Sequence, residues 1–150
     1  MKVWLDGDAC PKMVKEIVFR ASLKRKVEVL LVANANMSIP KNPLISIKVV
    51  GSDFNEADQY IIENSLFHDL VITADVPMAA ELVEKNVTVM TPRGKIFNKD
   101  NIADALSNRN LMEELRGAGL ASGGPAPLGL KDKEKFANSF DRELTRLLRA

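Results

Sequence analysis

Five short apolar segments, separated by longer stretches of mixed polarity, constrain the fold of this 150-residue chain more than any other feature. They are rich in β-branched residues and carry few charges, as do strands buried on both faces of a parallel sheet. The segments are Val3–Leu5, Val27–Ala33, Ile45–Val50, Leu70–Thr73 and Val87–Met90. Strands that alternate with helical stretches predict an α/β protein with a mostly parallel sheet of about five strands, covered by helices on both faces.

Between these segments, apolar residues recur every three or four positions, which predicts helices. Pro11 precedes the first of these stripes and suits a first helical turn. The stripes consist of Val14, Ile17, Val18 and Ala21; of Ala57, Tyr60 and Ile61; and of Met78 or Ala79 with Leu82 and Val83. The connection 34–44 contains Asn, Ser and two prolines, so it is predicted to be a loop.

The C-terminal third is predicted to be helical. Asn98–Arg116 is expected to form one helix, broken near Ser107, and Lys131–Leu148 to form another. The inward residues would be Ile102, Ala105, Leu106, Met112 and Leu115 in the first helix, and Phe136, Phe140, Leu144 and Leu148 in the second. Gly117–Gly129 holds five glycines and two prolines and is predicted to be a loop. We expect one domain over residues 1–150, with a helical appendage from about residue 98.

The composition restricts the class of protein. Lys and Arg total 21 against 20 Asp and Glu, so binding to nucleic acid would require a local basic patch. A single cysteine excludes an internal disulfide, and no Cys/His set suggests a zinc site. An acid at Asp6 comes too early for a signal peptide, and no apolar run approaches the ~18–20 residues of a membrane span. We expect a cytoplasmic protein with no membrane association; the oligomeric state stays open.

Aspartates follow two of the predicted strands at their carboxyl ends. Asp6 and Asp8 come after the first strand, Asp75 ends the fourth, and Asp58 opens the helix after the third. Ligands of an open parallel sheet bind beyond the carboxyl ends of its strands, so these four residues are expected at one edge. Gathered carboxylates repel each other unless a cation neutralises them. Hard oxygen ligands predict a site for Mg²⁺ or Mn²⁺.

Structural roles are the alternative for several of these residues. An aspartate at the end of a strand is often a turn or N-cap residue, and Asp8 or Asp53 could cap a helix. Asp69 precedes its strand, so it is expected at the opposite edge as a turn residue. Cys10 is predicted to be a packed small residue, because no partner base is visible for a reactive thiol. His68 is expected in a turn or on the surface.

Basic residues follow the last predicted strand and could meet a phosphate at the same edge. These are Arg93 and Lys95, for which simple solvated charge is the alternative. Arg109 and Arg116, on the helix predicted after them, would extend the patch. We therefore take Arg93, Lys95 and Arg109 as candidate substrate-binding residues.

Taken together, these motifs resemble those of the bacterial YaiI/YqxD family over nearly the whole chain. The matching residues are 6–11, 57–58, 70–75 with Pro77, 92–94, 101–102, 109–112 and 123–127. That family is similar to PIN and NYN nuclease domains, which implies a three-layer α/β domain that binds Mg²⁺ or Mn²⁺ through Asp6, Asp58 and Asp75 and cuts RNA. Many such nucleases carry a further acid just past the position of Asp75, where this chain has Val76. Asp8 is the residue that could take the role of that further acid.

Three functions follow as hypotheses. The leading one is metal-dependent phosphodiester hydrolysis of RNA, with Asp6, Asp8, Asp58 and Asp75 at the metal and Arg93 on the phosphate. The second is a haloacid-dehalogenase-type phosphatase with Asp6 as nucleophile, although such enzymes have Thr where Cys10 stands. The third is a non-catalytic module that binds RNA or a partner and retains a vestigial acidic site. Few aromatic residues are available to stack on a single strand.

Overall fold

The computed structural model of the chain describes residues 1–53, 55–120 and 127–149. Six strands and five helices lie within these ranges. They are β1 (Lys2–Asp6), α1 (Lys12–Arg25), β2 (Glu28–Ala33), β3 (Ile45–Val49), α2 (Glu56–Asn64), β4 (Leu70–Ile72), α3 (Val76–Glu84), β5 (Thr88–Met90), β6 (Ile96–Phe97), α4 (Ile102–Gly117) and α5 (Leu130–Leu148). In this part of the chain no helix is long and apolar enough to cross a membrane.

The strands form a single sheet in the order β3-β2-β1-β4-β5-β6. The first five strands of that order are parallel, and β6 pairs antiparallel with β5. The predicted α/β class and mostly parallel sheet are therefore confirmed, with six strands instead of about five. The chain winds outward from β1 to β3 and then returns to place β4 on the other side of β1. This reversal opens a crevice at the carboxyl ends of β1 and β4, where open α/β sheets bind their ligands.

Helices cover both faces of the sheet. On one face α1 and α5 pack against residues such as Leu5, with Phe136 and Phe140 fully buried. On the other face α2 and α3 pack against Trp4 and Val71, and α4 adds partly buried side chains. Side chains alternate between faces along a strand, so Asp6, two residues after Trp4, belongs to the face of α2 and α3. The three-layer arrangement therefore directs the end of β1 towards these two helices.

A hairpin that was not predicted joins β5 to β6. Gly94 donates a backbone hydrogen bond to Thr91 (2.9 Å), and Thr91 donates one to Lys95 (2.9 Å). Pro92 and Gly94 occupy the second and fourth positions of this turn, which suit them. The signal was present in the sequence, because a short loop with Gly between two apolar pairs is typical of a hairpin.

Helix α4 differs from the predicted helix in three respects. It begins at Ile102 because the Asn98 carboxamide accepts hydrogen bonds from the backbone N–H groups of Asp100 and Asn101 (2.9 and 3.0 Å), which form a turn before the helix. It then continues through Ser107 without a break. Met112 was expected to face inward but is 41% exposed. The helix therefore lies over the second face as a partly buried cover.

The C-terminal region also differs from its prediction. The expected loop 117–129 begins later, because α4 includes Gly117, and residues 121–126 lie outside the described ranges. In α5, Leu147 is buried (5% exposed) and Leu148 is not (42%). A strict step of four drifts off the core face of a helix with 3.6 residues per turn, so the last core position falls one residue earlier. Helix α5 packs beside α1 and contributes to the central core.

Candidate functional site

Asp6 is the last residue of β1 and lies at the crevice between β1 and β4. Its side chain is 8% exposed, and one carboxylate oxygen accepts a hydrogen bond from the hydroxyl of Thr73 (3.4 Å). Burial raises the pKa of Asp6, and the charges of Asp75 and Asp8 raise it further, while the Thr73 hydrogen bond opposes the shift. The carboxylate thus sits where a negative charge is poorly solvated.

Thr73 connects the ends of two neighbouring strands. It extends β4 by one residue, because its backbone N–H donates to Met90 (3.0 Å) in β5. Its hydroxyl donates to Asp6 and accepts from the backbone N–H of Asp75 (3.1 Å). From the sequence, Thr73 was predicted only as a strand residue. A threonine two residues before a strand-end aspartate is the signal that could have revealed this turn.

Asp75 both caps a helix and joins the acidic cluster. One carboxylate oxygen accepts a hydrogen bond from the backbone N–H of Met78 (3.0 Å), which caps α3, and Pro77 lies in the first turn of that helix. The capping role considered for strand-end aspartates therefore applies to Asp75. Its charge also raises the pKa values of Asp6 and Asp58, so the same carboxyl group faces both.

Asp58 approaches the cluster from the first turn of α2. Burial raises its pKa to about 7, with further contributions from the charges of Asp75 and Asp6 and from a hydrogen bond to the Asp75 carboxyl group. Burial and the neighbouring carboxylates thus both disfavour the charged form of Asp58. Asp6, Asp58 and Asp75 thus come from β1, α2 and the end of β4, and they meet at one edge of the sheet.

Asp8 lies at the rim of this cluster. Its carboxylate accepts a hydrogen bond from the backbone N–H of Asn34 (2.8 Å), which ties the loop after β1 to the loop after β2. Neither Asp8 nor Asp53 caps a helix: the residues before α1 and α2 are Pro11 and Asn55, and neither makes a side-chain cap.

Two adjoining depressions open onto the acids. One, of about 350 Å³, is lined by Asp6, Asp8, Asn34, Ser52, Asp53, Asn55, Glu56, Ala57, Asp58 and Asp75. The other, of about 230 Å³, shares Asn55, Asp58 and Asp75 with the first and adds Arg109 from α4. Arg109 pairs with Glu113 one turn later (3.0 Å). Arg109 is thus a predicted basic residue that the tertiary structure brings beside the acids.

The contacts described for Arg93 and Lys95 lie away from these two depressions. Arg93 forms an ion pair with Asp132 (3.0 Å) in the first turn of α5, and Asp132 also accepts a hydrogen bond from the backbone N–H of Gly129. That backbone hydrogen bond and then the Arg93 charge lower the pKa of Asp132. The ammonium group of Lys95 lies 5.6 Å from the centre of the Phe97 ring. Among the described residues that line the two acidic depressions, neither Arg93 nor Lys95 occurs.

Asp69 lies at the opposite edge of the sheet, as predicted. It is 7% exposed, and its carboxylate accepts hydrogen bonds from the Trp4 indole (3.0 Å) and from the backbone N–H groups of Lys2 (3.0 Å) and Leu66 (2.9 Å). These three bonds fix the turn before β4 to the start of β1. Its role is structural.

Cys10 and His68 also match their expected roles. Cys10 is packed in the core, and burial raises the pKa of its thiol to about 12, so the thiolate is strongly disfavoured. His68 is exposed and adopts a left-handed backbone conformation (φ 78°) in the turn before β4.

The acidic cluster has the donor chemistry that Mg²⁺ or Mn²⁺ prefers, since all of its side-chain donors are carboxylate oxygens. One oxygen each of Asp6, Asp8 and Asp75 is engaged by Thr73, Asn34 and Met78, respectively. Within the described ranges, however, no three acidic, His or Cys side chains are arranged as ready ligands of one ion. The residues therefore fit a divalent cation in chemistry and charge, and side-chain rotation would have to complete its ligand set.

Comparison with known proteins agrees with the motifs. The family described as "Uncharacterized BCR, YaiI/YqxD family" matches residues 4–146. A UPF0178 protein of Maridesulfovibrio salexigens is 51% identical over 148 residues, which cover 99% of this chain and 98% of the relative. UPF0178 proteins of Citrifermentans bemidjiense and Pseudomonas fluorescens are 52% and 48% identical over 149 residues, covering 99% of this chain and 97% and 99% of those relatives. No solved structure matches significantly. This chain belongs to the YaiI/YqxD family.

Proposed function

We propose that the protein is a divalent-metal-dependent phosphodiesterase that cleaves RNA. The observation that carries this proposal is the meeting of Asp6, Asp58 and Asp75 at the crevice where the strand order reverses, where burial, together with the charge of Asp75, raises the pKa values of Asp6 and Asp58. Carboxylates that repel each other in a partly buried site are stabilised when a cation joins them. Such a cluster at this edge of an α/β sheet is typical of a ligand site.

Each of these residues would have its own role in such a reaction. Asp6, Asp58 and Asp75 would hold the cation, with Asp8 at the rim. When bound, Mg²⁺ or Mn²⁺ supplies an activated water and neutralises charge on the phosphate. Arg109 lines the depression beside Asp58, so its guanidinium would bind the phosphate oxygens in the role that the sequence suggested for Arg93.

One observation favours a second candidate. Since no three side chains of the described residues already form a ligand set, the acids could be vestigial in a module that binds RNA or a partner without cleaving it. The two candidates differ in what the carboxylates do. Hydrolysis requires their negative charge, whereas binding by a module with a vestigial site does not.

Calorimetric titration of Mn²⁺ and Mg²⁺ tests the proposal, with wild type compared with Asp6→Asn and Asp75→Asn. Asparagine caps helices about as well as aspartate, so Asp75→Asn removes charge and keeps α3 capped. Glu63→Gln, on an exposed position of α2, is the matched control. We expect saturable binding in wild type and control, weakened at least about tenfold in both Asn variants.

Cleavage of a quenched fluorescent RNA in Mn²⁺ then separates the candidates. We expect cleavage by wild type and Glu63→Gln, with loss in the two Asn variants. RNA binding that persists in EDTA and in both Asn variants, with no cleavage under any condition, would favour the binding module. If no metal binds with or without RNA, the metal site itself is refuted.

A further inference from the structure

Helix α5 carries a row of cations along its solvent side, which we call the basic stripe. It consists of Lys131, Lys135, Arg142, Arg146 and Arg149, all of them exposed. At 100° per residue, these positions fall within an arc of about 60°, and at 1.5 Å per residue they extend over about 27 Å. The chain as a whole has a net charge of only +1, so this concentration of positive charge is local.

The opposite side of α5 anchors the helix in the core. Phe136, Phe140, Leu144 and Leu147 are buried and pack with α1 and the sheet. Because these residues fix the rotation of the helix about its own axis, the basic stripe is held facing outward. The cations are thus displayed on a rigid element, as precise recognition requires.

The neighbouring acids neutralise the stripe only in part, and Glu134 is the exposed acid nearest to Lys135 along the chain. Asp132 pairs with Arg93 in the β5–β6 turn, and Asp141 pairs with Arg25 in α1, so neither acid pairs with the stripe. Glu143 pairs with Arg146 of the stripe (2.6 Å). In the described ranges, the other four cations of the stripe have no acidic partner within ion-pair distance. A row in which cations outnumber the acids beside them raises the potential along the helix and attracts a polyanion.

Two shallow depressions follow the stripe and join into one groove. Lys131, Lys135 and Arg142 line the first, together with one acid, Glu134, and residues of the β5–β6 hairpin. Arg142, Arg146 and Arg149 line the second, again with one acid, Asp141. They share Asn138 and Arg142, so the groove runs along most of α5. Its shape and charge both suit an extended phosphate backbone.

One end of the groove lies at the same edge of the sheet as the acids, although α5 covers the face opposite to α2 and α3. Asp132, in the first turn of α5, contacts Arg93, just beyond the carboxyl end of β5. At the other end of the helix, Arg146 donates a hydrogen bond to the side chain of Thr88, the first residue of β5 (3.2 Å). Helix α5 therefore runs antiparallel to β5, and Lys131 marks the end of the stripe on the same edge as Asp6.

We infer that the basic stripe holds the phosphate backbone of the RNA on which the acidic edge acts. This inference deepens the proposed function and rests on it for the identity of the ligand. Each lysine or arginine of the stripe would contact a phosphate without reading the base, so binding would depend on salt and tolerate sequence changes. The net charge excluded a global attraction to nucleic acid; the stripe supplies the local patch that such binding requires.

Binding of a short fluorescein-labelled oligouridine to the full chain, followed by anisotropy in EDTA over a range of salt concentrations, tests the inference. The test variant is Lys135→Gln/Arg142→Gln/Arg149→Gln, and the control is Lys24→Gln/Lys41→Gln/Lys133→Gln, which removes three exposed lysines outside the stripe. We expect the Kd of the test variant to rise at least about tenfold. The slope of log K against log salt should fall by about 2, at about 0.7 for each lost contact on a single strand. The control should stay within about twofold of wild type.

Equal Kd values in test and control variants, whether both unchanged or both raised, would overturn the inference. So would capture by anionic phospholipid vesicles through the same residues, with no binding of oligouridine.

The anisotropy assay measures no cleavage, so its result is independent of the reaction. If RNA binding depends on the stripe but no cleavage occurs in Mn²⁺, only the proposed activity is refuted. If the stripe substitutions change neither the rate of cleavage nor the Kd, only the role of the stripe in RNA binding is refuted. Circular dichroism of both triple variants should match wild type, because every substituted side chain is exposed.

Discussion

The hydroxyl of Thr73 donates a hydrogen bond to the carboxylate of Asp6, with 3.4 Å between the two oxygen atoms. This bond lies one step beyond the last paired residues of β1 and β4, Leu5 and Ile72. The same hydroxyl accepts from the backbone of Asp75, so one buried side chain links acids from two strands. The relationship explains why the sheet order matters: only the adjacency of β1 and β4 brings these groups together.

Thr73→Val tests this link, because valine keeps the shape of threonine and removes the hydroxyl. We expect a loss of about 1–2 kcal/mol in the free energy of unfolding, since the partly buried N–H of Asp75 loses its acceptor. If the acids bind a cation, Mn²⁺ affinity should also fall severalfold in calorimetry. Thr73→Ser keeps the hydroxyl and should recover the affinity; a Ser variant as weak as Val would show that the hydroxyl is not the cause.

Asp58 should make stability depend on pH. Its pKa is about 7 in the folded protein and near 3.8 when unfolded, so between these values the folded state holds a proton that the unfolded chain has released. The contribution of Asp58 to the free energy of unfolding should therefore be greatest below pH about 4 and be lost as the pH rises through about 7. Urea denaturation at several pH values, without divalent metal, measures this slope. Asp58→Asn should flatten it, while Glu63→Gln on the same helix should not.

Asp69 should be structurally required and should not affect the acidic edge. Asp69→Asn keeps the size of the side chain but cannot accept all three hydrogen bonds, so buried donors lose partners. We expect a loss of about 2–4 kcal/mol in the free energy of unfolding. The single tryptophan, Trp4, donates to Asp69 and reports unfolding through its fluorescence. Metal binding should be unchanged, and the exposed Asp100→Asn should leave both properties as in wild type; a destabilised control would argue against a specific role.

Gly94 should not tolerate a side chain. Its φ of +85° lies in the left-handed region, and a Cβ there would approach within 2.8 Å of the carbonyl oxygen of Lys135 in α5. Gly94→Ala is expected to lower the free energy of unfolding by at least about 2 kcal/mol. Gly117→Ala is the control, since a Cβ there meets no described atom within 4 Å. Equal thermal midpoints for the two variants would contradict the close packing of hairpin and helix.

Cys10 should be inert in the native protein. With its thiol pKa raised to about 12 and its side chain buried, few molecules carry an accessible thiolate at neutral pH. Mass spectrometry after iodoacetamide treatment should show slow labelling under native conditions and rapid labelling in urea. Fast native labelling would mean that the start of α1 opens readily.

The position of the acidic side chains at one edge of the sheet could be predicted, because the apolar pattern that indicates a strand also shows where the strand ends. Unbroken β-branched segments predict buried parallel strands, and residues that follow such strands must emerge at one edge. Asp6, Asp58 and Asp75 were therefore recognisable before their neighbours were known, and so was the opposite placement of Asp69. The family was recognisable for the same reason, because its motifs are local strings of residues.

Contacts between distant segments required the tertiary structure. Arg93 follows β5 directly, yet it pairs with Asp132, whereas Arg109 reaches the acids because α4 packs against α3. Thr73 became part of the site through a neighbour 67 positions away along the chain.

Among the described elements, the sequence by itself determined five of the six strands, the approximate position of each helix and the edge at which the carboxylates gather. Local periodicity and the chemistry of strand ends depend only on neighbouring residues. The tertiary structure decided that Arg109 lines a depression with Asp58 and Asp75, and that the Thr73 hydroxyl connects Asp6 with Asp75. It also decided which face of α5 remains in solvent. Those outcomes depend on the order of the strands and on helix packing, where the free energy comes from burial shared among segments far apart in the chain.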